Sequence, residues 1–139
     1  MGVSYGKGDK AKATKLHAEI VRSIGVCESC GSSNYLQCAH IISRRYSATR
    51  TLLNNAQALC AGCHRRYTDH PLEFSRYIST TPIRAVYDQM YQLSQQNRKY
   101  PKTYWSERLA QLKQVKADID KGQTLADARA QEAEREGLI

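Results

Sequence analysis

Four of the chain's five cysteines fall into two C-x-x-C pairs, Cys27-Glu-Ser-Cys30 and Cys60-Ala-Gly-Cys63, with 29 residues between them. Two thiolates from one tight turn take two corners of a tetrahedron at about 2.3 Å from Zn²⁺, and a second such turn completes the site. Gly31, directly after the first pair, suits the sharp backbone turn that this requires. The pattern predicts a metal-stapled domain with a structural zinc on Cys27, Cys30, Cys60 and Cys63. A pair of disulfides, or four inert thiols, is the bland alternative. In a reducing compartment paired cysteines serve metals more often than disulfides, and an odd total of five fits poorly with a closed disulfide set.

The remaining composition agrees with that reading. No apolar signal segment follows Met1, and no run approaches the roughly 18 apolar residues of a membrane span, so the expectation is a cytoplasmic protein without a membrane partner. At 139 residues one domain is expected, with an appendage at most. The net charge of +8 is unevenly placed. Residues 1–70 carry ten Lys/Arg against four Asp/Glu, and residues 71–139 carry eleven against nine. The basic excess therefore sits with the cysteine pairs. A concentrated positive field attracts polyanions, which makes nucleic acid the leading partner.

Element signals place these residues. A basic N-terminus, 1–8, is expected to be mobile; Asp9 then caps a helix to about Ile24, with Leu16, Ile20 and Ile24 on one face and Gly25 as its stop. Residues 35–42 read as a strand, 57–59 as a short second strand, and 64–68 as the start of a helix. A polar loop, 43–51, carries Arg44, Arg45 and Arg50. Pro71 opens a helix to about Ile78, Thr81-Pro82 caps another to about Gln96, and a third covers about 103–120. The Ala/Glu/Arg-rich stretch 124–136 reads as helical with few apolar anchors, and is expected as a solvated tail rather than a dimer arm or docking helix. The fold class is α+β: a β, loop, β, helix order with the cysteine turns pinning its two flanks, inside a domain spanning 9–120. Helices over 82–120 cover that unit, and 121–139 form a helical or flexible tail.

His40, Asn55 and His64 are spaced H-x14-N-x8-H inside the cysteine frame. With Cys38-Ala-His-Ile-Ile-Ser-Arg44, Asn55-x3-Leu59-Cys60 and Cys63-His64, the segment resembles the HNH endonucleases, and more narrowly the small HNH proteins of phages and prophages. The resemblance covers about residues 26–78 and implies a ββα-metal core there. It implies DNA as substrate and metal-dependent hydrolysis, by nicking or double-strand cleavage, to 5′-phosphate and 3′-hydroxyl ends. By position, His40 matches the general base, Asn55 the residue that fixes the loop and orients that imidazole, and His64 a ligand of a catalytic divalent metal such as Mg²⁺, Mn²⁺ or Ni²⁺. The setting it implies is phage DNA processing in a bacterial cell, near packaging or recombination proteins. No oligomeric state follows from it.

Two positions depart from the family's common pattern. Ala39 stands where an acid or histidine often ligates the metal, and Thr68 stands one helical turn after His64 where some members have a second histidine. A catalytically impaired DNA-binding or phage-machine interaction module is therefore the alternative function. Cys38 shares a strand face with residue 40; it is either a thiolate ligand suited to a softer metal than Mg²⁺ or, the expectation here, a buried structural thiol. Arg44, Arg45, Arg50, Arg65 and Arg66 are the candidate DNA contacts, set against the reading of solvated surface arginines. Asp69 and His70 are expected to form a turn before Pro71. His17, among lysines on the first helix, is assigned no role.

Overall fold

The computed structural model describes residues 8–96 and 99–139, so the expected basic N-terminus lies outside the described residues apart from Gly8. The elements are α1 (Asp9–Arg22), β1 (Leu36–His40), β2 (Ala56–Cys60), α2 (Ala61–Asp69), α3 (Pro71–Ser79), α4 (Tyr87–Ser94), α5 (Tyr104–Asp120) and α6 (Leu125–Arg135). Two 3-10 turns, Leu53–Asn55 and Pro82–Ala85, precede β2 and α4. The fold is α+β, with the expected β, loop, β, helix order at its centre.

The two strands pair antiparallel, with Cys38 opposite Ala58 and His40 opposite Ala56. Side chains alternate across a strand, so Cys38 and His40 share the face that packs on α1, where Val21, Ala56 and Ala58 are fully buried. Ala39 faces the other side with Leu59, Cys27, Tyr67 and Tyr77. A two-stranded sheet alone is marginal in water, and the surrounding helices supply the missing core. Ala13 and Ile20 of α1 pack with Leu53, Leu109, Leu112 and Leu125. A second cluster joins Ile42 and Leu52 of the loop region to Ile78, Ile83, Val86, Met90 and Leu138.

Three boundaries differ from the sequence-based expectation for local reasons. Asp9 is not the cap of α1 but its first-turn acid, with Gly8 in the cap position; a carboxylate there still complements the helix dipole. Thr81 does cap, its hydroxyl accepting the Ile83 N–H, yet the helix it starts is a 3-10 turn that ends at Val86 before α4 begins. The stretch expected as a solvated tail is α6, and it is docked. Glu132 is fully buried and Ala128 and Ala133 nearly so.

That docking is polar. The Glu132 carboxylate accepts the backbone N–H of Leu53 at 2.9 Å and of Asn54 at 3.0 Å, and it pairs with Arg108 of α5 at 2.9 Å. Arg129 donates to the Leu53 and Ala56 carbonyls and forms a two-pronged pair with Glu28, which lies within the first C-x-x-C turn. Glu28 in turn accepts the Ala58 N–H at 2.7 Å. The C-terminal helix thus ties the first cysteine turn, the 3-10 turn and β2 to one another.

Candidate active site

The cysteine frame is assembled by its own backbone. The Cys27 N–H donates to Ser32 O and the Gly31 N–H to Cys27 O, closing the first turn, with Gly31 at φ 82° where a side chain would be strained. The Cys30 N–H points at Cys27 Sγ at 3.5 Å, and the Cys63 N–H at Cys60 Sγ at 3.4 Å. The second of these bonds also makes Cys60 the cap of α2, so one sulfur both starts the helix and faces the site. All four Sγ atoms lie within 4.8 Å of one another, and Cys30 and Cys60 are 3.7 Å apart. An edge of about 3.7 Å is that of a tetrahedron with bonds of about 2.3 Å.

The electrostatics of the frame also ask for a cation. Burial opposes ionisation of Cys27, but N–H bonds led by that of Cys30 bring it down to about 7. Burial and the neighbouring sulfurs push Cys63 up to about 12. Crowded thiols cannot all ionise unless a metal neutralises them. The four cysteines are positioned to form a zinc site.

His40 sits at the end of β1, where Nε2 is 2.9 Å from the Arg50 carbonyl oxygen. A carbonyl only accepts, so Nε2 carries the hydrogen and Nδ1 keeps the lone pair. Burial, together with the Arg44, Arg50 and His64 charges, lowers its pKa below the ordinary 6.5 against the raising effect of the Arg50 carbonyl. Asn55 is fully buried and clamps the loop that separates the two strands. Its Oδ1 accepts the Ile42 N–H at 2.7 Å, and its Nδ2 donates to the carbonyls of Ile42 and Thr49, each at 3.0 Å. These bonds go to backbone and not to the imidazole, and they hold the loop that carries Arg50. Asn54, its neighbour, instead faces Glu132 and Arg129 of α6.

His64, in the first turn of α2, reaches back across β1 to Gln37, with Nδ1 at 2.6 Å from Oε1. That fixes Nδ1–H and leaves Nε2 open. Burial lowers its pKa too. Both histidines line one cleft of about 620 Å³ with Arg22, Gln37, Cys38, Ser43 and Arg44. Ala39 turns away from this cleft into the core, and the Thr68 hydroxyl is spent on the His64 carbonyl.

The candidate arginines divide. Arg44 is exposed on the cleft wall. Arg50 points inward, its guanidinium bonded to Thr14 Oγ1 at 2.8 Å and to Arg44 O at 3.0 Å. Arg45 lies over the Tyr46 ring. Arg66 pairs with Glu73 at 2.8 Å on a separate surface that also holds Arg65, Asp69 and His70. Arg22 is a cleft residue that sequence reasoning missed; only its place at the end of a helix packed on β1 brings it there. His17 was missed as well. It is fully buried and its ring centroid is 5.3 Å from that of His40.

Residues 27–70 match the family model described as HNH endonuclease. Over that stretch the chain is similar to an HNH endonuclease domain. That segment contains both cysteine turns, both strands, the Asn55 clamp and the two cleft histidines. The HNH family implies a divalent metal and a nucleic acid substrate, which agrees with the basic cleft. No curated protein and no solved structure matches the chain.

Proposed function

We propose that the chain is a metal-dependent HNH endonuclease that hydrolyses DNA phosphodiester bonds, with His40 as general base and His64 as a ligand of the catalytic metal. The observation that carries this reading is the convergence of His40 and His64 in one cleft. In each, a carbonyl oxygen holds one ring nitrogen and leaves the other with a lone pair. His40 Nδ1 takes the proton of the attacking water; the Arg50 carbonyl keeps the ring oriented and stabilises the imidazolium that forms. Asn55 serves indirectly, by fixing the loop that presents that carbonyl. Gln37 sets the His64 tautomer, as an outer partner does for a metal-ligating histidine. A divalent cation bound through His64 would neutralise charge on the phosphorane and on the leaving 3′ oxygen.

Arg44 and Arg22 flank the cleft and are the residues placed to hold DNA phosphates. Arg65 and Arg66 lie on the separate surface of α2, outside the cleft; Arg50 acts through its carbonyl rather than its side chain. Phage DNA processing in a bacterial cytoplasm is the setting that the resemblance to small phage proteins supports.

The test is conversion of supercoiled plasmid by zinc-loaded protein with Mg²⁺, Mn²⁺ or Ni²⁺ added in parallel, beside His40→Ala. The expected result is metal-dependent nicking or linearisation that the variant lacks. A folded, zinc-bound wild type that cuts nothing would favour the impaired binding module, with Ala39 and Thr68 as the missing ligands.

A further inference from the structure

Beneath the His40–His64 pair lies a second cluster of ligand-bearing side chains. His17 from α1 and Cys38 and His40 from β1 each offer a donor atom, and these atoms lie within 4.8 Å of one another. From these positions we propose that His17, Cys38 and His40 form a second metal site, separate from the four-cysteine frame, for a borderline-soft divalent cation such as Zn²⁺ or Co²⁺.

Three observations carry it. The first is an orphan: His17 is fully buried, its Nε2 is 2.9 Å from the Leu52 carbonyl, and its Nδ1 has no hydrogen-bond partner. A buried acceptor left unpaired is destabilising, and a cation would remove that penalty. The second is orientation. Both imidazoles give their Nε2–H to a backbone carbonyl, Leu52 for His17 and Arg50 for His40, which leaves Nδ1 unprotonated in each. A carbonyl on the far nitrogen is the usual outer partner of a metal-ligating histidine. The third is access. Cys38 and His40 line the cleft, which gives a cation a route from solvent, and the fully buried His17 ring lies 5.3 Å from that of His40.

Two imidazoles and one thiolate suit Zn²⁺ or Co²⁺ and discriminate against Mg²⁺ and Ca²⁺, which prefer oxygen ligands. Atoms within 4.8 Å close to the roughly 3.3–3.8 Å edges of a tetrahedral site by side-chain rotation, with a fourth position left to water. On binding, the Cys38 thiol loses its proton to solvent and its sulfur pair goes to the metal. The same event occupies the His40 lone pair. Resting on the nuclease reading, the site is therefore inhibitory: excess Zn²⁺ captures the base and stops cleavage, while Mg²⁺ does not.

The test is a Co²⁺ titration of the full chain with its cysteine frame already loaded with zinc, followed by visible and near-ultraviolet absorption, with zinc release measured throughout. The expected result is one further Co²⁺ bound with a thiolate-to-cobalt charge-transfer band and no zinc released. Cys38→Ser, a change at a partly exposed position, should abolish that band, and His17→Gln should weaken binding by roughly tenfold or more while keeping it. A band that persists in Cys38→Ser, or the absence of any band in the wild type, overturns the site. Each variant's zinc content and thermal melt report its fold, and Cys38→Ser decides alone if His17→Gln does not fold. Cobalt binding as described in a protein that never cuts DNA would leave the metal site standing and overturn the nuclease reading instead.

Discussion

Burial, aided by the neighbouring His40, lowers His17 from the ordinary 6.5 to about 3. The folded protein keeps this ring neutral while the unfolded chain protonates it below 6.5. The unfolded state therefore binds the extra proton between about pH 3 and 6.5. The contribution is fully present above 6.5 and is lost as pH falls, at about 1.4 kcal/mol per pH unit for one proton. Replacing His17 by Leu should flatten the stability profile over that window. Urea unfolding of zinc-loaded wild type and His17→Leu at pH 5 and pH 7, as about two-unit-spaced points, checks it; parallel profiles would contradict the burial argument. None of this was legible in the sequence, because charged residues such as Lys15 and Glu19 share its helix and only the packing of α1 on β1 shows which face is covered. Asn55 was legible by its spacing from His40 and His64. Its hold on the loop was part of that reading; what the sequence could not convey is that Arg50, read as a DNA contact, turns its guanidinium inward.

Among the elements, the cysteine turns were readable because their chemistry is local: two residues between ligands and a glycine at positive φ are all such a turn requires. The ββα order was readable from the same stretch. Helix α6 was readable as a helix, but its docking was not, because much of its anchoring is polar. A search for apolar spacing finds few in 124–136, whereas the structure attaches the helix through Arg129 and Glu132. The Arg108–Glu132 pair is nearly or fully buried on both sides. Removing one partner from a buried pair commonly costs about 3–5 kcal/mol, since the other charge is left without compensation. Glu132→Ala should therefore lower the unfolding free energy by about that amount in urea. It should also loosen the 3-10 turn that carries Asn55. A loss under about 1 kcal/mol would mean that α6 is dispensable to the core.

Across the whole molecule, the HNH segment supplies the site and the helices make it stand. Two strands and one short helix bury too little to fold alone. Here α1 and α5 cover one side, while α3, α4 and Leu138 cover the other. Among the described residues no helix is long and apolar enough to cross a membrane. Basic charge concentrates in residues 1–70, the half that contains the cleft, as expected for a surface that meets a polyanion. The sequence division of charge and the structural division of labour thus coincide.

The two cleft histidines are assigned different jobs, and the dependence of the single-turnover plasmid cleavage rate on Mg²⁺ concentration separates them. His64→Ala should raise the Mg²⁺ concentration for half-maximal rate by roughly tenfold or more, as expected on losing a ligand. His40→Ala should leave that concentration unchanged and lower the saturating rate by about 10²–10⁴-fold, the usual contribution of a general base. A His64→Ala protein with an unaltered Mg²⁺ requirement, or a His40→Ala protein that cuts at the wild-type rate, would contradict the assignment.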